Sequence, residues 1–112
     1  MAEQNKKFSL GRTVATCNVD DFFRVDASLA KDGKSTMAFT LLQKHQNLEQ
    51  GDLCDSDYQQ NLDAVKNEGK KDNNGQLMQD RIQSSFTING TKFWVITEWD
   101  RSATTILFPS EY

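Results

Sequence analysis

The sequence predicts an α+β domain in which an antiparallel sheet of about four strands carries two to three helices, mainly on one face. Three observations carry that expectation. Asn89-Gly90 sits between apolar runs and marks a tight hairpin, because a type I′ turn needs positive φ at both central residues. Between Asn18 and Glu68 the apolar residues recur at helical spacing in three successive stretches. Phe8 to Thr16 and Thr104 to Phe108 are rich in the β-branched and aromatic residues that suit strands. At 112 residues the chain is long enough for one cored domain, expected over residues 8–112, while Met1 to Lys7 has nothing apolar to bury and is expected to fray.

Taken in order, Phe8 to Thr16 is the N-terminal strand of the sheet, and Gly11 inside it points to a bulge or a close backbone approach. Asn18 is the expected cap of a first helix whose first turn holds Asp20 and Asp21 and whose stripe is Val19, Phe22, Phe23, Ala27 and Ala30. Lys31-Asp32-Gly33-Lys34 ends it. Ser35 then caps a second helix with Met37, Ala38, Leu41, Leu42, His45 and Leu48 on one face, stopping by Gly51. Ser56 and Gln59 match a capping box for a third helix, which runs to about Glu68 with Gly69 as its stop. Lys70 to Gly75 is an exposed loop.

The two-residue turn then fixes a register: Ile88 opposite Thr91, Phe86 opposite Phe93, Ser84 opposite Val95 and Ile82 opposite Thr97. Ile82, Phe86, Ile88, Phe93 and Val95 therefore share a core face. Trp94, Ile96 and Glu98 occupy the other face, so the middle strand of the meander is apolar on both sides, as a central or interface strand is. Pro109 ends the last strand.

Composition excludes several functions. With 16 acidic against 13 basic residues, and Lys6, Lys7 and Arg12 the sole basic cluster near the start, there is no electrostatic footprint for nucleic acid. No apolar run is long enough to cross a bilayer, and no signal core follows Met1, so a soluble, cytoplasmic chain is expected. In that compartment Cys17 and Cys54 are expected to be reduced thiols. No P-loop, dinucleotide fingerprint or nucleophile elbow is present, and no cofactor is expected. Cys17, His45 and Cys54 lack zinc spacing, and Asp52, Asp55 and Asp57 lack the glycine and distal glutamate of a calcium loop, so no metal is expected either. The single histidine, His45, reads as a core residue with satisfied ring nitrogens.

Chemistry concentrates in Glu98-Trp99-Asp100-Arg101-Ser102, the connection between the last two strands. Two readings of it stand. As a catalytic loop, Glu98 and Asp100 act as acid and base or bind a metal, Arg101 stabilises an anion and Ser102 supplies a hydroxyl. As turn chemistry, Asp100 accepts from local amides and Arg101 pairs with a carboxylate. Trp94, Ile96, Trp99, Asp100 and Arg101 together form the candidate partner surface, and the second sheet face is also a candidate homodimer contact.

The tail FWVITEWDRSATTILFPSEY, with Gly11 to Thr16, His45, Gly51, Asp52 and Asn61, resembles a family of small bacterial proteins labelled "plasmid-related protein". The family tail has the form W-[IV]-I-T-E-x-D-R-S-A-T-T-x-L-x-P-x-E-Y, which Trp94 to Glu98, Asp100 to Thr105, Leu107, Pro109, Glu111 and Tyr112 match. Cys17 stands where the family usually has proline, Trp99 where it usually has a small residue, and Lys66 to Gln79 is longer and more polar. The resemblance implies a gene carried on plasmids, phages or integrated elements, and brings no established activity. The function expected is a non-catalytic interaction module that binds a host or element protein, in the manner of accessory proteins that counter host defence. The alternatives are a small metal-assisted hydrolase or nuclease built on the Glu98 to Ser102 loop and, third, a DNA-binding accessory protein.

Overall fold

A computed structural model describes residues 7–30, 33 and 35–112. The fraying expected of the N-terminus therefore falls, apart from Lys7, outside the described residues, as do three of the four residues expected to end the first helix. The elements are β1 (Arg12–Ala15), α1 (Cys17–Leu29), α2 (Met37–Gln46), α3 (Asp55–Lys66), β2 (Ile82–Ile88), β3 (Thr91–Thr97) and β4 (Ala103–Leu107), followed by a 3-10 turn at Pro109–Glu111. The class is α+β. The strand order is β1-β4-β3-β2.

Asn89 and Gly90 have φ of 51° and 83°, the positive pair that the hairpin turn demands. Every pair of the expected register is present, from Ile88 with Thr91 to Ile82 with Thr97. β4 returns antiparallel to β3, with Val95 opposite Ile106 and Thr97 opposite Thr104.

The expected all-antiparallel sheet is corrected by β1, which pairs with β4 in parallel, Arg12 opposite Ala103 through Ala15 opposite Ile106. A two-residue turn forces antiparallel neighbours, but no such turn constrains β1, and the chain from β1 to β4, three helices and the β2–β3 hairpin, is long enough for a parallel crossover. Gly11 sets the direction. Its φ of 63° carries the chain tightly over the β3–β4 turn, where a Cβ would collide with the Arg101 and Ser102 carbonyls, and it enters β1 beside the start of β4. The close approach foreseen at Gly11 is this one, and the strand is shorter than the Phe8 to Thr16 expected.

The helix caps also differ from expectation. α1 is capped by Thr16, whose hydroxyl oxygen accepts from the Val19 amide at 3.3 Å, because the strand ends at Ala15 and the chain turns at once. Asn18 instead donates to Glu111 at 3.2 Å. α2 begins after Thr36, with Ser35 accepting from the Met37 amide at 3.2 Å. α3 starts at Asp55 after Cys54, which makes no side-chain cap, and it ends at Lys66.

On one sheet face Val19, Met37, Leu41, Phe86, Phe93, Val95 and Ile106 form a cluster, with Phe22, Phe23 and Phe108 packed against it. Phe93 is its centre, in contact with the rings of Phe22, Phe23 and Phe108 at 5.5 to 5.8 Å. Phe8, Leu48, Ala64 and Ile82 form a second cluster at the other end of β2. α3 lies along the β2 edge, where the Asn61 amide group donates to the Gln83 carbonyl at 2.8 Å and accepts from its N–H at 3.2 Å. One side chain thus satisfies edge groups that a fifth strand would otherwise take.

Candidate functional site

The turn from Glu98 to Ser102 closes through backbone bonds from the Glu98 amide to Ala103 O at 3.0 Å and from the Arg101 amide to Glu98 O at 2.9 Å. Arg101 takes φ of 60°, uncommon for a side chain of its size. What holds it there is visible at the guanidinium. Nε donates to both Glu68 oxygens at 3.0 Å, Nη2 to Glu68 Oε1 at 2.6 Å, and Nη1 to the carbonyls of Asp80, Glu98 and Trp99 at 2.7 to 3.2 Å. Arg101 is 8% exposed, and the group also lies 5.7 Å from the Phe8 ring centroid. It points into the protein and ties the chain beyond α3 to the start of β2 and to its own turn.

Asp100 is exposed and accepts from the Ser102 amide at 3.0 Å. Ser102, through its hydroxyl and its amide, holds the Asp100 carboxyl below its ordinary range, with the Arg101 charge adding to the effect. Glu98, just past the end of β3, is half-buried. Among the described residues no group of three or more His, Cys, Asp or Glu side chains could hold a metal ion. Cys17 and Cys54 are exposed free thiols, while His45 is fully buried, so these three do not converge.

The five residues of the candidate partner surface separate by exposure. Ile96 is 4% exposed and, like Arg101, offers almost nothing to a partner. Trp94 is half-buried, its indole edge-on to Tyr112 with centroids 5.4 Å apart. Arg81 lies 5.3 Å from the Tyr112 ring centroid and donates to the phenol oxygen and, at 3.3 Å, to Gln83 Oε1. Trp99 stands at the tip of the turn, 52% exposed, with its carbonyl held by Gln79 Nε2 at 2.8 Å. The exposed remainder is Trp99 and Asp100, with the Trp94, Tyr112 and Arg81 group on the sheet.

Two other surfaces had no signal in sequence. A polar groove of about 520 Å³ runs between α3 and the start of β2, lined by Gln60, Asp63, Asp80 and Arg81 among others. A hollow of about 200 Å³ opens between Phe22, Val25, Leu29 and Met37, where Val25 and Leu29 are mostly exposed.

His45 is indeed a core residue, and it is one link in a buried chain. Its Nδ1 lies 2.6 Å from Ser84 Oγ, and its Nε2 lies 2.8 Å from Thr97 Oγ1. Thr97 Oγ1 is 2.6 Å from Thr104 Oγ1, which donates to Leu10 O at 2.7 Å. That last bond orders every proton. Thr104 spends its hydrogen on the carbonyl and so accepts from Thr97; Thr97 accepts from Nε2–H; Nδ1 is bare and accepts from Ser84. Burial, and secondarily the Arg101 charge, lowers the His45 pKa to about 3.

Comparison with protein families, with curated proteins and with solved structures finds no match for this chain.

Proposed function

We propose that the protein is a non-catalytic interaction module, with the β3–β4 turn as its contact point and Trp99 as the anchor. One observation carries this reading: Arg101 and Asp100 are engaged in building the turn, while Trp99 at its tip is 52% exposed. Exposed tryptophan on a rigid support is the residue type that dominates binding energy at protein interfaces. The Trp94, Tyr112 and Arg81 group extends the same aromatic and cationic chemistry across the sheet. The resemblance of the tail supplies the setting, a mobile element, so the partner is a host or element protein and interference with host defence is the role.

The test compares proteins retained from host lysate by the natural chain and by Trp99→Ala. Arg101 is the wrong residue to replace, since its loss unpairs Glu68 and the Asp80 carbonyl and changes the fold rather than the surface. The expected result is a partner retained by the natural chain and by Asp100→Asn, and lost with Trp99→Ala. Divalent-metal-dependent hydrolysis by the natural chain that disappears with Asp100→Asn would overturn the proposal in favour of catalysis.

A further inference from the structure

We propose that the outer edge of β1 pairs antiparallel with β1 of a second copy of the chain, about a two-fold axis at Val14. The sheet has two edges, and they are finished differently. At the β2 edge, Asn61 takes both backbone groups of Gln83, and the Asp52 amide takes the Ser85 carbonyl at 2.8 Å. At the β1 edge, the amides of Arg12 and Thr16 donate to Ser102 O and Ile106 O, each at 3.1 Å, so even-numbered residues face β4. Thr13 and Ala15 therefore direct their N–H and C=O outward. Among the described residues nothing bonds to these groups.

All four residues of β1 are exposed, because α1 crosses the sheet to reach Phe93 and leaves the strand bare. A bare strand edge is a template for another strand. Three features make a second copy the occupant. Centring the axis on Val14 sets Thr13 against Ala15 of the second copy and Ala15 against Thr13, which satisfies all the outward groups with four hydrogen bonds. An axis at Thr13 would instead oppose Ala15 to Gly11, whose N–H is already held by the Ser9 hydroxyl at 3.3 Å, and an axis at Ala15 would oppose Thr13 to Cys17, already in α1.

The same Val14 register brings Arg12 opposite Thr16, whose hydroxyl donates to the Glu111 carboxylate at 2.9 Å. Each Arg12 thus meets a carboxylate of the other copy, twice by symmetry. Val14, 37% exposed, meets its own counterpart on the second sheet face.

The contact is four residues long, so association is weak, with half-dimerisation at high micromolar protein. It stands apart from the partner reading at Trp99, which the edge does not involve. The experiment is sedimentation velocity over a concentration series for the natural chain, Thr13→Pro and Arg12→Glu, each first shown to be folded by circular dichroism. Thr13→Pro removes an outward N–H that makes no bond within the chain and places a ring on the edge, and dimerisation should weaken by about tenfold or more. Arg12→Glu leaves every backbone bond in place and should weaken it by charge repulsion.

Val14→Cys, made with Cys17→Ser and Cys54→Ser, adds a direct readout. Directly opposed residues that are not hydrogen-bonded to each other have Cα atoms about 4.5 Å apart, inside the range of about 4.4–6.8 Å that a disulfide spans. A covalent dimer should form under mild oxidation, and Thr13→Pro should abolish it. A dimer indifferent to Thr13→Pro would overturn the proposal and move the contact to another face. A monomer at every concentration with no cross-link would also overturn it and leave the edge to a foreign strand.

Discussion

His45 is the only histidine in the chain, so its titration can be read without interference from another imidazole. In the folded protein its pKa is lowered to about 3 from an ordinary 6.5. The unfolded chain therefore takes up a proton near pH 6.5 that the folded chain refuses until about pH 3. The sign follows from linkage: the neutral imidazole stabilises the fold in full above about pH 6.5, and that contribution is lost progressively as pH falls toward 3. Over the whole window the loss is on the order of 5 kcal/mol. Most carboxylates stay ionised down to about pH 5, and between pH 7.5 and 5 the His45 share is RT ln(1 + 10^1.5), about 2 kcal/mol.

The assay is urea unfolding of the natural chain and of His45→Gln at several values across that window. His45→Gln should be the less stable at pH 7.5, since a glutamine cannot reproduce both ring contacts, but its stability should be nearly flat to pH 5. Subtracting the two slopes removes carboxylate titrations common to both. Nitrogen chemical shifts of the imidazole provide a second readout, with Nε2 protonated, Nδ1 bare and neither moving above pH 5 in the folded state. Equal slopes for the two proteins, or a folded imidazole that titrates near its ordinary pKa, would refute the buried chain as described.

Two further outcomes follow from groups that hold the sheet in place. Arg101→Ala should cost roughly 3 kcal/mol of stability, since it leaves Glu68 and the Asp80 carbonyl without their donor, while the Glu98 and Trp99 carbonyls keep the Arg101 amide and Gln79; the Glu68 side chain is 29% exposed, which keeps the loss at the lower end for a buried pair. Thermal and urea unfolding measure it, and Arg101→Lys should recover only part, because an ammonium cannot reproduce the planar fork. Asn61→Ala should cost about 1–3 kcal/mol by unpairing the Gln83 amide and carbonyl, and it should raise the rate of aggregation seen by light scattering, since the β2 edge is then open.

The hairpin was legible because Asn89-Gly90 leaves the backbone one good turn, and a side-chain period of two then dictates every cross-strand pair from Ile88 to Ile82. The helices were legible from their stripes, although their caps were not: Asn18 is a good cap by type, but the strand before it ends one residue short of Thr16, and geometry decides. The direction of β1 was not legible. It depends on Gly11 crossing the carbonyls of Arg101 and Ser102, far away in sequence, and a glycine alone does not say what it must pass. His45 could be placed in the core from its helical stripe, whereas its partners could not, since Ser84, Thr97 and Thr104 look like ordinary strand residues until three strands bring them together. The exposure of Trp99 against the burial of Arg101 was hidden for the same reason: neighbours in a turn point in opposite directions, and which one points inward depends on Glu68 waiting beyond α3.

That last point changes how the tail from Trp94 to Tyr112 should be understood. Thr97 and Thr104 carry the buried proton order, Arg101 joins three segments, and Ile96 and Leu107 are buried on the second face. Glu111, which accepts from the Phe108 amide at 2.8 Å and from Thr16 and Asn18, fastens the end of the chain to the start of α1. Each of these would be required for folding whatever the protein binds. The tail therefore builds the fold before it builds a site, and the groups it leaves free to meet a partner are those in solvent. Trp99 is one of them. If the contact runs through Trp99, replacing it should change what is bound without changing how the protein folds.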